Sequence, residues 1–346
     1  MNLLMASRSS IGLDLGSRRI KAAQFARTRS GLSLAAWLDI ARPETSIDQA
    51  WAVRLHGLLA RAGFSGKQLC LAAPSREVQA SVISLPPAED ADSLEQVARM
   101  SLARMHRLEP DAFEFSAWPL ASEGGGRGKQ QVMSYAYEHA SAISLMDTFE
   151  GAGFDVERID LPSLAILAAF GDQIDDTDRL GLTVDMGWSG CRIIAHRHGT
   201  IVYERAIETA GLSALYEAVA GVTEFDSDLV HAQIVRCDQP SRKAQADHTV
   251  VKAIRQHAGL LTEEIGVCKN YLDRQYRGDR DAVVNLVGGG ASLILLLETL
   301  GQQLGLEVQA PVLPGLPAGR TREMLDAITL ARGLALRGWQ AQGVAV

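Results

Sequence analysis

No stretch of this chain approaches the roughly 18 or more consecutive apolar residues that a membrane-spanning helix needs, although 47% of its 346 residues are hydrophobic. Apolar residues spread in this way build a globular core. Met1–Met5 is too short for the apolar centre of a signal peptide. Cysteine is scarce: Cys70, Cys191, Cys237 and Cys268 include no C-x-x-C pair, and their spacing fits neither a zinc site nor a disulfide framework. A basic excess is missing too. The net charge of −7 and a pI near 5.7 argue against general nucleic-acid binding, and the basic residues cluster only at Arg18, Arg19 and Lys21. These absences predict a soluble, cytoplasmic protein of two or more domains. Any membrane role would run through a partner rather than by direct insertion.

What is present is a motif that occurs twice. Ile11–Lys21 reads Ile-Gly-Leu-Asp-Leu-Gly-Ser-Arg-Arg-Ile-Lys. Apolar residues at 11, 13 and 15 predict a buried strand, interrupted by Asp14 and ended by Gly16. A carboxylate is costly to bury unless it is paired or hydrogen-bonded. A glycine two residues later lets the backbone turn tightly and offer N–H groups to an anion. One such motif is weak, because Asp-x-Gly occurs in many ordinary turns. Leu182–Gly187 repeats it, however, and each copy leads into a hairpin: Ile20–Phe25 after the first, Cys191–Ala195 with Ile201–Arg205 after the second. Two similar halves carrying such turns suit the binding of a metal-bound phosphate chain. Val283–Ser292, with Gly288, Gly289 and Gly290, reads as a strand, a glycine turn and a helix start, where backbone can approach a ligand closely.

Taken in order, residues 1–10 read as a flexible arm. Three strands then form a meander over 11–38, followed by a helix over Ile47–Ala62 and strands at Gln68–Ala73 and Val78–Leu85. Pro86-Pro87 marks a boundary. Residues 86–157 read as an inserted α-β-β-α-β unit, its first helix capped by Ser93 with Gln96 and its glycine-rich loop at 122–130 lacking a phosphate-loop ending. The acidic run 172–178 reads as a solvated turn. A helical, polar stretch over 223–257 and a clear helix over Leu260–Tyr276 follow, and a last helix covers Arg322–Trp339. His196 and His198 alternate beside a hairpin turn and have no evident third metal ligand.

This order of elements resembles the actin/Hsp70/sugar-kinase ATPase fold, an α/β architecture in which two RNase H-like domains bind ATP. A closer resemblance is to the PilM family of type IV pilus assembly proteins, related to the cell-division protein FtsA. It is carried by Gly12–Ser17 with Ile20-Lys21-Ala22, Ala73–Val78 leading to Leu85-Pro86, Gly153-Phe154 with Val156 and Asp160, Glu264-Ile265 with Tyr271, Leu286–Ala291, and Gly333–Arg337. The resemblance implies a subdomain 1A over 11–85, completed by about 158–178 and 322–346. It implies a 1C insert over 86–157 of the FtsA and PilM type, 2A over 179–220 and 281–321, and 2B over 221–280. Asp14 and Asp185 would then hold Mg²⁺, mostly through water. Gly16, Ser17, Arg18 and Lys21, with Gly187, Trp188, Ser189 and Gly190, would meet the phosphates of ATP. Gly288, Gly289, Gly290 and Ser292 would pass under the adenosine, and Glu264 or Lys269 would reach the ribose.

Three departures from the family pattern bear on chemistry: Arg18 and Arg19 replace small hydroxyl residues, bulky Trp188 stands in the second turn and would crowd the phosphates, and Ala210-Gly211 replaces a Gly-Gly pair. The implied function is an ATP-binding scaffold with slow or absent hydrolysis, peripheral to the inner membrane. There it would bind the N-terminal tail of a PilN-like membrane protein and, through it, a PilO/PilP-type complex. The alternative is an active ATPase or small-molecule kinase of the same fold, for which Glu208 is the candidate general base near the second hairpin. A filament former like FtsA would carry an amphipathic membrane helix at its end, and Arg337–Val346 is too short and too little amphipathic for one. GspL, a type II secretion relative, fuses such a domain to a membrane helix, an arrangement not expected here.

Overall fold

The structure, a computed structural model, describes residues 7–29, 31–86, 90–121, 129–170, 180–223, 225–237, 247–276, 283–313, 315 and 328–341. Contacts divide the chain into two compact units: Met1–Ile174 with Val312–Thr321 and Ile328–Val346, and Asp175–Pro311 with Arg322–Ala327.

The first unit runs β1 (Ile11–Asp14), β2 (Arg19–Thr28), β3 (Gly31–Ala41), α1 (Gln49–Arg61), β4 (Gln68–Ala72), β5 (Gln79–Leu85), α2 (Ala91–His106), β6 (Phe113–Pro119), β7 (Gln130–Glu138), α3 (His139–Glu150), β8 (Asp155–Asp160) and α4 (Pro162–Phe170). Its main sheet has the order β3-β2-β1-β4-β8. The first three strands are an antiparallel meander, and β4 and β8 add in parallel. Asp48 caps α1 by accepting from Trp51 N–H at 2.8 Å. The helix then buries Trp51, Ala52, Leu55 and Leu59, one stripe at helical spacing, in a core with Leu13, Ile20, Leu69 and Phe149. The last helix of the chain covers the other face of this sheet and buries Ala331, Ala335, Leu336 and Trp339 beside Phe25.

Several sequence expectations change here. Residues 7–10 are not a loose arm: Ser9 N–H donates to Phe25 O and Arg27 N–H to Ser7 O, which lays this segment along β2. The domain boundary at 86 is also displaced. β5 pairs with β7, not with the main sheet, and forms a three-stranded sheet of order β5-β7-β6. Its apolar Ile83 and Leu85 join the core under α2 with Ala98, Leu102 and Phe113. At the other end, α3 and β8 leave the insert: Phe149 sits in the main core and β8 pairs with β4. The cap of α2 is Asp90, which accepts from Ser93 N–H at 2.7 Å, so Ser93 lies inside the helix. The loop at 122–128, the acidic run at 172–178 and residues 322–327 of the expected last helix lie outside the described residues.

The second unit runs β9 (Gly181–Met186), β10 (Cys191–Arg197), β11 (Thr200–Ile207), α5 (Leu212–Thr223), α6 (Ser227–Cys237), α7 (His248–Gln275), β12 (Val284–Val287), α8 (Ile294–Leu304) and β13 (Val308–Gln309). Its sheet order, β11-β10-β9-β12-β13, repeats that of the first unit, again as a meander followed by two parallel strands. The repeat read in the short Asp-x-Gly motif is thus a repeat of a whole five-stranded sheet. The helix expected from Leu260 begins at His248, with Asp247 as its cap. The final helix of the chain, α9 (Thr329–Ala341), belongs to the first unit.

Candidate functional site

In each sheet the Asp-x-Gly turn follows the carboxyl end of the central strand, where open α/β sheets bind ligands. At the first turn, Asp14 closes β1 and is 9% exposed. Lys21 lies directly opposite on β2, its Nζ 3.4 Å from Asp14 Oδ2. That cation offsets the cost of holding a carboxylate so near the core. Gly16 cannot be replaced without movement, since a Cβ there would stand 2.6 Å from the Arg19 carbonyl. Ser17 and Arg18 are exposed, and Arg19 is taken up by Asp39 at 2.7 Å. The sequence reading missed Arg42, just beyond β3. Its Nη1 donates to the carbonyls of Leu15 at 2.9 Å and Gly16 at 3.2 Å. Nothing local in the sequence signals this contact.

At the second turn, Gly187 N–H donates to Gly190 O at 3.0 Å and closes the loop. The start of α5 backs it: Leu212 N–H donates to Gly187 O at 2.9 Å, and Ser213 N–H to Trp188 O at 2.8 Å. The Trp188 ring stands edge-on to Tyr216 of α5, centroids 4.9 Å apart, and Tyr216 in turn stacks on His231 of α6. The bulk expected to crowd the phosphates therefore rests on an aromatic neighbour. Asp185 has a facing cation as well. Arg192 follows it at the spacing by which Lys21 follows Asp14, and lies opposite it on β10. That repeated spacing was legible, and the sequence reading did not use it. Arg192 is buried and forms an ion pair with buried Glu204. Burial, reinforced by Asp185, pushes the Cys191 thiol well above its ordinary range, which makes it a packing group rather than a nucleophile.

The glycine run is brought to Asp185. Gly288 has a φ of 76°, and a Cβ there would stand 2.6 Å from Asp185 Oδ1 and 2.8 Å from the Met186 carbonyl. Only glycine allows this approach. Gly289, Gly290 and Ser292 form a 3-10 turn in which Ser292 Oγ donates to Gly289 O at 2.9 Å. Glu208 opens a 3-10 turn after β11; its side chain is exposed, and a Cβ at Gly190 would meet its Cα at 3.5 Å. Glu264 and Lys269, expected at the ribose, have ion pairs of their own. Glu264 binds Arg205 of β11 at 2.7 Å, and Lys269 binds Asp273 one turn along α7 at 2.9 Å. His196 is buried, and burial lowers its pKa to about 4. Among the described residues no group of three or more His, Cys, Asp or Glu could hold a metal, and no helix is long and apolar enough to cross a membrane. Each unit thus sets a glycine that tolerates no side chain beside a carboxylate at a strand end: Gly16 after Asp14, and Gly288 against Asp185.

No protein-family model and no curated protein matches the sequence. Solved structures do. The chain is similar to a chain of the "PilM-PilN type IV pilus biogenesis complex", at 20% identity and TM-score 0.78, over 95% of this chain and 98% of that one. It is similar to the ethanolamine utilization protein EutJ from Carboxydothermus hydrogenoformans at 17% identity and TM-score 0.55, over 97% and 91%. It is also similar to component A of the Acidaminococcus fermentans (R)-2-hydroxyglutaryl-CoA dehydratase, at 13% identity and TM-score 0.51, over 97% and 100%. These likenesses establish the fold: the chain has the actin/Hsp70-like architecture of two RNase H-like halves, with an insert in the first.

Proposed function

We propose that this chain is a PilM-type, ATP-binding scaffold at the cytoplasmic side of an inner membrane, and that it binds the N-terminal tail of a PilN-like membrane protein. The observation that carries the reading is the likeness to a PilM–PilN complex over nearly the full length of both chains. The repeated acid–glycine turns support nucleotide as the ligand. On this reading Asp14 and Asp185 hold Mg²⁺ largely through its water shell. The N–H groups of Ser17 and Arg18, and of Trp188, Ser189 and Gly190, take up phosphate oxygens. Lys21 neutralises charge beside them, and the Gly288–Gly290 run passes under the adenosine. Hydrolysis is slow or absent on this reading, because Glu208 is an exposed group and no partner among the described residues orients it as a base.

The test is capture of candidate N-terminal tails by the full chain, with and without Mg-ATP, alongside thermal melting. Mg-ATP should raise the melting temperature, and Asp14→Ala or Asp185→Ala should abolish the rise. If nucleotide and tail are coupled, each tightens the other by the same factor. No shift at millimolar Mg-ATP rejects the nucleotide, and no bound tail rejects the scaffold. Brisk phosphate release that is lost in Glu208→Ala would promote the enzyme reading instead.

A further inference from the structure

We propose that Arg42 is the positioning residue of the first turn: it pulls two successive carbonyls back so that the N–H groups behind them face out as an anion receptor. Its action on phosphate rests on the nucleotide reading above; its action on the turn does not. The argument begins with the sheet. Arg42 N–H donates to Arg18 O at 2.9 Å, one step beyond the last β2–β3 pair, Arg19 with Ala41. This main-chain bond sets Arg42 beside the turn, and its guanidinium then reaches the carbonyls of both Leu15 and Gly16 from Nη1.

In a planar trans peptide the C=O and the N–H point in opposite directions. The link from Leu15 to Gly16 and the link from Gly16 to Ser17 both turn their oxygens toward Arg42. The Gly16 and Ser17 N–H groups are therefore aimed away from it, as two successive donors of the kind that form anion-binding concavities. Bonds from a charged donor are the stronger class of hydrogen bond, so the guanidinium holds the turn more firmly than a neutral side chain would. Its charge also adds to that of Lys21, 3.4 Å from Asp14 on the neighbouring strand.

The second turn supplies the internal comparison. There the carbonyls of Gly187 and Trp188 are drawn back by the Leu212 and Ser213 N–H groups, which by the same geometry turns the Trp188 and Ser189 N–H groups away from α5. Both halves thus present donors by holding two consecutive oxygens from behind. The first uses a side chain for this, and there one substitution tests it.

The experiment uses the full chain as wild type, Arg42→Gln and Arg42→Lys, labelled with ¹⁵N at glycine and serine, with urea midpoints measured alongside. In the ligand-free protein the Gly16 and Ser17 amide signals should move in Arg42→Gln and return part-way in Arg42→Lys, while those of Gly187 and Gly190 stay in place. Calorimetric titration with Mg-ATP should show affinity lower by roughly tenfold or more in Arg42→Gln, the scale of a lost charged hydrogen bond, and a smaller loss in Arg42→Lys. A merely structural role would give no rescue by lysine that follows the amide signals. Unmoved Gly16 and Ser17 signals, or equal losses in the two variants, overturn the proposal. If wild type takes no Mg-ATP, the nucleotide reading falls, and the amide signals alone still decide for or against Arg42. Should Arg42→Gln fail to fold, the same amide signals in Arg42→Lys, measured against wild type, decide the question.

Discussion

The two Asp-x-Gly turns sit on sheets of one strand order, yet different materials brace them. At the first, a half-buried arginine side chain reaches the turn carbonyls from the end of an edge strand. At the second, two backbone N–H groups of α5 do so. The facing cations differ in the same sense. Lys21 keeps 17% of its side chain exposed, whereas Arg192 keeps 6% and is bound to Glu204. One topology can therefore carry a turn that a single side chain adjusts and a turn fixed by main chain and buried charge. Substitutions at the first should tune binding; substitutions at the second should cost stability.

The strongest way to break that contrast is Glu204→Gln. It removes the Glu204 charge from the buried Arg192 guanidinium, and removing one member of a buried pair costs about 3–5 kcal/mol. Lys21→Met, at a longer pair whose side chains are partly exposed, should cost less, about 1–2 kcal/mol, between the values for exposed and buried pairs. Urea denaturation of both variants gives the comparison. The double variant Arg192→Met with Glu204→Leu should recover much of the loss, because apolar groups of similar volume replace such pairs at little cost. Equal effects of Glu204→Gln and Lys21→Met would mean that the two cations are not differently held.

A smaller edit sharpens the comparison at the backbone. Leu212→Pro removes one N–H, the donor to Gly187 O, at the first position of α5, where proline is well tolerated. Gly211 before it already has the extended backbone, φ −75° and ψ 169°, that a residue preceding proline requires. Leu212→Ala controls for the lost side chain. The proline variant should be less stable than the alanine variant by about 1 kcal/mol, one hydrogen bond, and should bind Mg-ATP more weakly. If the two variants match in stability and in affinity, α5 does not brace the second turn.

These differences also mark where the sequence stopped being readable. The motif, its repeat and the strands around it follow local patterns: apolar alternation, a carboxylate and a glycine. Lys21 and Arg192 belong to that pattern, since each falls at one spacing after its aspartate. Arg42 does not, because its role comes from the β2–β3 register and not from its neighbours in sequence. β5 illustrates the same limit. Its alternation showed a strand, but only the pairing with β7 shows that Ile83 and Leu85 belong to the insert's core. The early part of α7 falls in the stretch read as helical and polar over 223–257, and its continuity with the helix from Leu260 lies in the stripe: Val250, Ala253, Ile254, His257 and Ala258 continue the buried row of Leu261, Ile265 and Cys268. Glu264 carries no local sign that Arg205, on a strand far away in sequence, will claim it.

The smallest expected effect concerns the aromatic chain at the second turn. Trp188 lies edge-on to Tyr216, and the Tyr216 hydroxyl meets His231 Nδ1 at 2.8 Å in an exposed position. A hydrogen bond open to water adds little, so Tyr216→Phe should change stability by about 0.5 kcal/mol or less while keeping the ring under the indole. Tyr216→Ala removes the ring and should cost about 0.5–1.5 kcal/mol beyond the area lost, the range for an aromatic pair. The tryptophan emission separates the two, with Trp188→Phe as the blank that isolates this indole from the others. Its emission should shift to the red in Tyr216→Ala, as water replaces the phenyl face, and stay put in Tyr216→Phe. An equal shift in both would mean that the hydroxyl, through His231, holds the indole in place. No shift in either would remove Tyr216 as the support of the second turn and leave α5's two N–H groups to brace it alone.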